Sequence, residues 1–249
     1  MKLVNLVYRH LATVPGALEW AWGTVGPSFE DGVFAKRSRA LVVVGDISTT
    51  KSVSFDQAGL SEDEGIGVIE TLGAYNRVNP MNALSLRVMA IALESGRPAL
   101  WRPPVATNVG ASKTRQSSVL LPMSSLDGLP SATTDVLFRL AGLTTGQDRG
   151  LVPSLFRHFA AWPALLAAFA DWLEPLAEEG VIERQVTGIL ALADEISLEI
   201  FENLDRPEQG AVLPEATTRE ALLQTIEIFP PAICRMIVIG SLLSVALKL

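Results

Sequence analysis

Cysteine is almost absent from this 249-residue chain, with Cys234 the only one. No disulfide can form within the chain, and no Cys-x-x-Cys pair exists for redox chemistry. Cys234 lies in an apolar run and reads as a buried thiol. Histidine is nearly as scarce, at His10 and His158. Neither has an Asp or Glu three or four residues away, so neither belongs to a helical metal-ligand set. Basic residues number 20 against 27 acidic ones, a net charge of −7, which argues against a nucleic-acid partner. The most apolar run, Met236 to Leu247, falls well short of the roughly 20 residues of a spanning helix, so no membrane partner is expected. The first ten residues carry neither a long apolar core nor a small-residue cleavage site, and do not read as a signal peptide. The expectation is a cytoplasmic protein, with 49% hydrophobic residues to build its core.

What the chain does have is an internal repeat. A shift of 148 positions carries Tyr8, Arg9, His10, Ala12, Pro15 and Leu18 onto Phe156, Arg157, His158, Ala160, Pro163 and Leu166. The same shift carries Glu30, Gly32 and Val33 onto Glu178, Gly180 and Val181, and Asp46 onto Asp194. Further on the offset becomes 154, and Thr71, Tyr75 and Leu93 fall on Thr225, Phe229 and Leu247. The reading is two copies of one helical unit, residues 1–97 and 151–249, joined by a connecting segment at 98–150, in one compact body. The fold class expected is all-α, with the two copies packed as an intramolecular pseudo-dimer.

Apolar spacing places the elements. In the first copy, Leu3 to Leu11 suits a helix, and Pro15 opens the next at its first turn. A break is expected at Gly26-Pro27-Ser28, with Ser28 capping a helix to about Ile47. Ser61 and Glu64 form a capping box that opens a long helical pattern to about Leu93, interrupted at Asn79-Pro80. Residues 95–131 read as a connection and 134–143 as a short helix. The second copy reads as helices near 153–161, 163–173, 178–203 and 217–247, the last kinked at Pro230-Pro231.

The best candidate site is Tyr75-Asn76-x-x-Asn79-Pro80. Two carboxamides lie three residues apart beside a helix break that exposes backbone groups, and an amide side chain can hold a water or a carboxylate. Asn79 also suits a simple turn role. The equivalent positions in the second copy are Pro230 and Ile233, so the fold does not itself demand the polar pair. His10 and His158, retained in both copies, read as structural. Arg9 with Asp46 and Arg157 with Asp194 read as two symmetric ion pairs. Trp20, Trp22, Trp162 and Trp172 lie on apolar helical faces, as core packing or as walls of a small-molecule pocket.

Four stretches together give a likeness. They are Leu11-Ala-Thr-Val-Pro-Gly16 with Ala21-Trp22; Ala74-Tyr-Asn-Arg-Val-Asn-Pro80; Leu120-Leu-Pro122 with Asp135-Val-Leu-Phe-Arg-Leu140; and Ser154-x-Phe156 with Ala160-x-Trp162-Pro163. In that order the chain resembles the group I 2-haloacid dehalogenases (the DehI type), related to the wider AhpD and carboxymuconolactone-decarboxylase-like fold. The resemblance implies an all-helical pseudo-dimer with its site between the two copies. It implies hydrolysis of 2-haloalkanoic acids without a cofactor, in which an aspartate, assisted by an asparagine, activates the water that displaces halide. The family asparagine maps onto Asn79. The family aspartate maps onto Leu155, between Ser154 and Phe156, and leucine cannot take a proton. Tyr75, Asn76, Ser154, Leu155, Phe156 and Trp162 are the substrate-binding positions implied. Three readings stay open: an enzyme of altered chemistry, a pseudo-enzyme that binds a small carboxylic acid, and a helical protein that forms a homodimer or other oligomer.

Overall fold

The computed structural model describes residues 6–42, 52–97, 99–100, 120–145, 150–204 and 211–249. Residues 98, 101–119 and 146–149 of the expected 98–150 connection, together with Asp46 and the side chain of His10, lie outside them. Among the described residues the protein is all-helical apart from one two-residue strand pair. The helices are α1 (Leu6–Leu11), α2 (Ala17–Glu30), α3 (Val33–Arg37), α4 (Glu62–Glu94), α5 (Ser131–Thr145), α6 (Ser154–His158), α7 (Pro163–Glu178), α8 (Val181–Glu202), α9 (Ala216–Glu227) and α10 (Phe229–Ala246). Strands β1 (Ala99–Leu100) and β2 (Ala211–Val212) pair antiparallel.

Two of the expected breaks are absent. Helix α2 runs through Gly26-Pro27-Ser28 and stops four residues later, where Gly32 takes a left-handed φ of 71°. Ser28 is therefore an interior residue and caps nothing. A left-handed residue ends a helix more decisively than an interior proline, which costs one hydrogen bond and a bend. Helix α4 likewise passes through Pro80 and spans 33 residues. Asn79 is thus inside a helix, not at a loop, and the broken backbone expected beside it is not there. The capping box is present: Ser61 N–H donates to Glu64 Oε2 at 2.8 Å, and Glu64 N–H to Ser61 Oγ at 3.4 Å. The kink expected at Pro230-Pro231 shows as a one-residue interruption at Ile228, itself at helical φ −68° and ψ −30°. There the two prolines fall in the first turn of α10, where their missing N–H groups would have no helical partner anyway.

The chain forms two compact units, and neither follows a single sequence copy. The first comprises residues 1–41, 80–116 and 190–233, the second 42–79, 117–189 and 234–249. The divisions Leu41/Val42 and Ile189/Leu190 are 148 residues apart, and Asn79/Pro80 and Ile233/Cys234 are 154 apart. These are the two offsets of the sequence repeat. Local geometry matches at the same spacing. Asp31 N–H bonds to Pro27 O at 2.9 Å, and Glu179 N–H to Pro175 O at 3.0 Å; each is followed by a left-handed glycine, Gly32 at φ 71° and Gly180 at φ 69°.

The first unit buries Leu11, Trp20, Val25, Phe34, Leu84 and Met89 completely. Its polar ties are the Tyr8 and Ser85 hydroxyls at 3.1 Å, Ser197 Oγ on Leu84 O at 3.3 Å, and Arg87 on Asp194 at 2.5 Å. Arg37 pairs with Glu199. Arg97 lies over the Phe201 ring and donates to the carbonyls of Phe201 and Leu204, holding the chain beyond α4 to the end of α8. The symmetric Arg–Asp pairing expected is not formed in the second copy. Asp194 is taken by Arg87, and Arg157 donates instead to a backbone carbonyl, described below.

The second unit buries Leu72, Leu137, Phe156, Phe159, Phe169 and Leu242. Arg139 on α5 forks onto Glu174 and Asp171 of α7, and Arg235 on α10 reaches Glu183 of α8 at 2.7 Å and Leu143 O at 3.2 Å. Helix α4 meets α10 closely. Asn76 Nδ2 donates to Gly240 O at 3.1 Å and to Ser244 Oγ at 3.0 Å, while its Oδ1 lies against the bare Cα of Gly240. A Cβ placed on Gly240 would overlap that oxygen. By length and hydropathy the stretch Ala216–Ala246 would pass as a membrane span, but half of its most apolar window is buried inside the protein, as a core helix is.

Gly240→Ala should therefore cost about 1–3 kcal/mol through overpacking. Urea unfolding checks it. A midpoint unchanged from the parent would mean that α4 and α10 do not meet at this glycine.

Candidate functional site

One face of α4 collects the chemistry of the second unit. Glu64, Gly67, Thr71 and Tyr75 recur at intervals of three, four and four residues, and so share one side of the helix. At its N-terminal end Glu64 accepts a bond from Trp162 Nε1 at 3.1 Å. Its bonds from the Ser61 N–H and hydroxyl and from Trp162 hold its carboxyl below the usual range. One turn on, the missing side chain of Gly67 makes room for Leu121, whose Cδ2 sits 2.8 Å from where a Cβ would be. Fully buried Thr71 then accepts the Leu121 N–H at 3.2 Å. At the far end Tyr75 meets α6. Its ring centroid is 5.8 Å from that of His158, edge-on, and Ser154 stands close enough to its hydroxyl to favour the ionised form. Burial raises the Tyr75 pKa, against the opposing effects of Ser154 and of Arg157.

Residues 120–124 form a strap across this stripe, tied to α6 at two further points. Ser124 N–H donates to Arg157 O at 3.1 Å, and the Arg157 guanidinium returns two bonds to Ser124 O at 3.0 and 2.9 Å. His158 Nδ1 lies 2.5 Å from Leu121 O. A carbonyl only accepts, so Nδ1 carries the hydrogen and the lone pair of the neutral ring sits on Nε2. That Nε2 is buried and has no hydrogen-bond partner. The His158 pKa is lowered, first by burial and secondarily by the neighbouring Arg157 charge, against the raising effect of the strap carbonyls.

The sequence-derived positions divide into three groups. Tyr75 and Ser154 are brought together, and Trp162 joins the same helix face through Glu64. Leu155 and Phe156 are completely buried in α6, and Leu155 is an ordinary core residue. Asn76 is committed to α10, and Asn79 is half-buried in the helix interior just before Pro80. His158, read as structural from sequence, has a more exceptional environment than either asparagine. The signal missed was the run Leu120-Leu-Pro122, which supplies the carbonyl that fixes its tautomer.

Among the described residues, no three His, Cys, Asp or Glu side chains gather as a metal-ligand set. A groove of about 290 Å³ opens elsewhere in the second unit, lined by Val53, Ser54, Gln57, Ala58, Ala168 and Trp172, and includes none of the positions above. Fold and site together define an all-helical protein with a hydroxyl–imidazole cluster between α4 and α6. No protein-family model matches the chain, and no curated protein matches it.

Thr71→Val keeps the shape and removes the acceptor for the Leu121 N–H. Leaving that donor unpaired should cost about 1–3 kcal/mol. Hydrogen exchange at the Leu121 amide should quicken accordingly, and an unchanged rate would remove Thr71 from the strap.

Proposed function

We propose that the chain is a DehI-like protein that has lost the standard hydrolytic dehalogenation and keeps a site for a small carboxylic acid. The observation that carries this reading is Leu155. Its side chain is wholly buried in α6, at the position where the resembling family holds its water-activating carboxylate. Its polar neighbours in α6 are Ser154, Arg157 and His158, and the carboxylate on the facing side of α4, Glu64, is engaged by Ser61 and Trp162. Losing a general base removes a term worth about 10²–10⁴-fold in rate. The Tyr75 and Ser154 hydroxyls, in the positive field of Arg157, suit a small carboxylate as ligand. Assaying chloride release from both enantiomers of 2-chloropropionate tests the reading. The native chain should release none, and native turnover would sink it. A gain of release in Leu155→Asp, checked for folding by circular dichroism, would mean that the remainder of the site is intact.

The architecture belongs to the same proposal. An intramolecular pseudo-dimer, in which each compact unit takes segments from both sequence copies, accounts for unit divisions that repeat at 148 and 154 residues. Cutting the full-length protein at a protease site inserted within residues 146–149 should leave two fragments that stay associated in size-exclusion chromatography without denaturant. Fragments that separate freely would contradict it.

A further inference from the structure

We propose that residues 120–124 are an acid-released latch between α4 and α6, with His158 as its pin. The strap makes its bonds to α4 and α6 through groups of two kinds. Thr71 Oγ1, Arg157 O and the Arg157 guanidinium keep their roles at any pH near neutrality. The His158 ring does not. Its Nδ1–H holds Leu121 O while Nε2 stays a bare acceptor, buried and unpartnered.

Protonation would place a hydrogen on Nε2 where no acceptor stands. The groups that face the ring do not outweigh the cost of burying its charge. Helix α4 presents the Tyr75 ring, and α6 presents Arg157, which is positive. The strap presents Leu121 O to Nδ1 and the Pro122 backbone to the ring, and carries no ionisable side chain from 120 to 124. A charged, buried N–H without a partner is relieved when the ring swings toward solvent. That movement gives up Leu121 O, the bond nearest the Tyr75 end of the stripe. The latch then hangs on Thr71 and Arg157 alone.

The sign follows from proton counting. In the closed state the His158 pKa lies below its ordinary value of about 6.5, so the open state binds more protons as pH falls. Opening is favoured below about pH 6.5, by up to tenfold per pH unit, until the closed-state pKa is reached. Above about pH 7 it is independent of pH.

Hydrogen exchange on the full-length protein between pH 8 and pH 5, expressed as protection factors, tests this. The Leu121 and Ser124 amides should keep constant protection from pH 8 to 7 and lose it progressively below pH 6.5. His158→Asn keeps an N–H donor at the Nδ1 position and cannot titrate. Its protection factors should be flat across the range, with His10 still present as the internal control. Constant protection in the native protein down to pH 5 would overturn the latch, as would the same acid loss in His158→Asn. Should that variant not fold, nitrogen NMR of the native imidazole decides instead. The Nδ1-protonated tautomer must persist at pH 7, and ring protonation must coincide with loss of Leu121 protection; any other tautomer, or protonation without loss of protection, refutes the proposal.

Discussion

The second compact unit depends on one constraint above others: a single face of α4 has to be small at Gly67, hydrogen-bonding at Thr71 and aromatic at Tyr75, in that order. Gly67 admits Leu121, Thr71 fixes the backbone of the strap that carries it, and Tyr75 closes the far end against α6. Each depends on the others because helical spacing leaves no freedom to move one alone. A larger residue at 67 would lift the strap from the hydroxyl at 71. Without that hydroxyl, a buried N–H would be left unpaired. Capping places the start of this face, since Ser61 and Glu64 set the helix register and Glu64 also receives Trp162.

Among the described residues of this unit, two buried side-chain polar atoms lack partners, and they differ in kind. Asn76 Oδ1 is an orphan because its own amide nitrogen is drawn to Gly240 O and Ser244 Oγ, which presses the oxygen onto the bare Cα of the glycine. It is the by-product of a close helix crossing, softened by the weak attraction of a Cα–H. His158 Nε2 is an orphan because the ring's other nitrogen is committed to a carbonyl. The amide has no second protonation state near neutrality, whereas the imidazole has one.

The helical class and the capping box at Ser61 were legible in the sequence, because periodicity and capping are local. The unit divisions fall at the same spacings of 148 and 154 residues. Helix ends were less legible. Pro27 and Pro80 look like breaks when read alone, yet a helix can forgo one hydrogen bond, and the stops come instead from a left-handed glycine or from prolines placed in a first turn. The site was legible only in part. Tyr75 and Ser154 lie on α4 and α6, where the Tyr75 and His158 rings meet, but Asn76 turns to α10 because Gly240 stands there, 164 residues away. The Arg157–Asp194 pairing failed for a similar reason. Arg87, distant in sequence, competes for the same carboxylate, and no local pattern encodes that competition.

The lock between Asn76 and Gly240 carries a consequence for how such a chain changes over time. The positions 154 residues away from this pair are Pro230 and Leu86, which can form no such lock. In an assembly of two identical chains, every substitution arrives twice and must be tolerated in both places at once. Two related copies on one chain, as in the proposed pseudo-dimer, would be released from that rule, so a glycine could deepen one crossing where the other copy holds a proline and a leucine. Such a molecule can specialise one half while the other continues to support the fold.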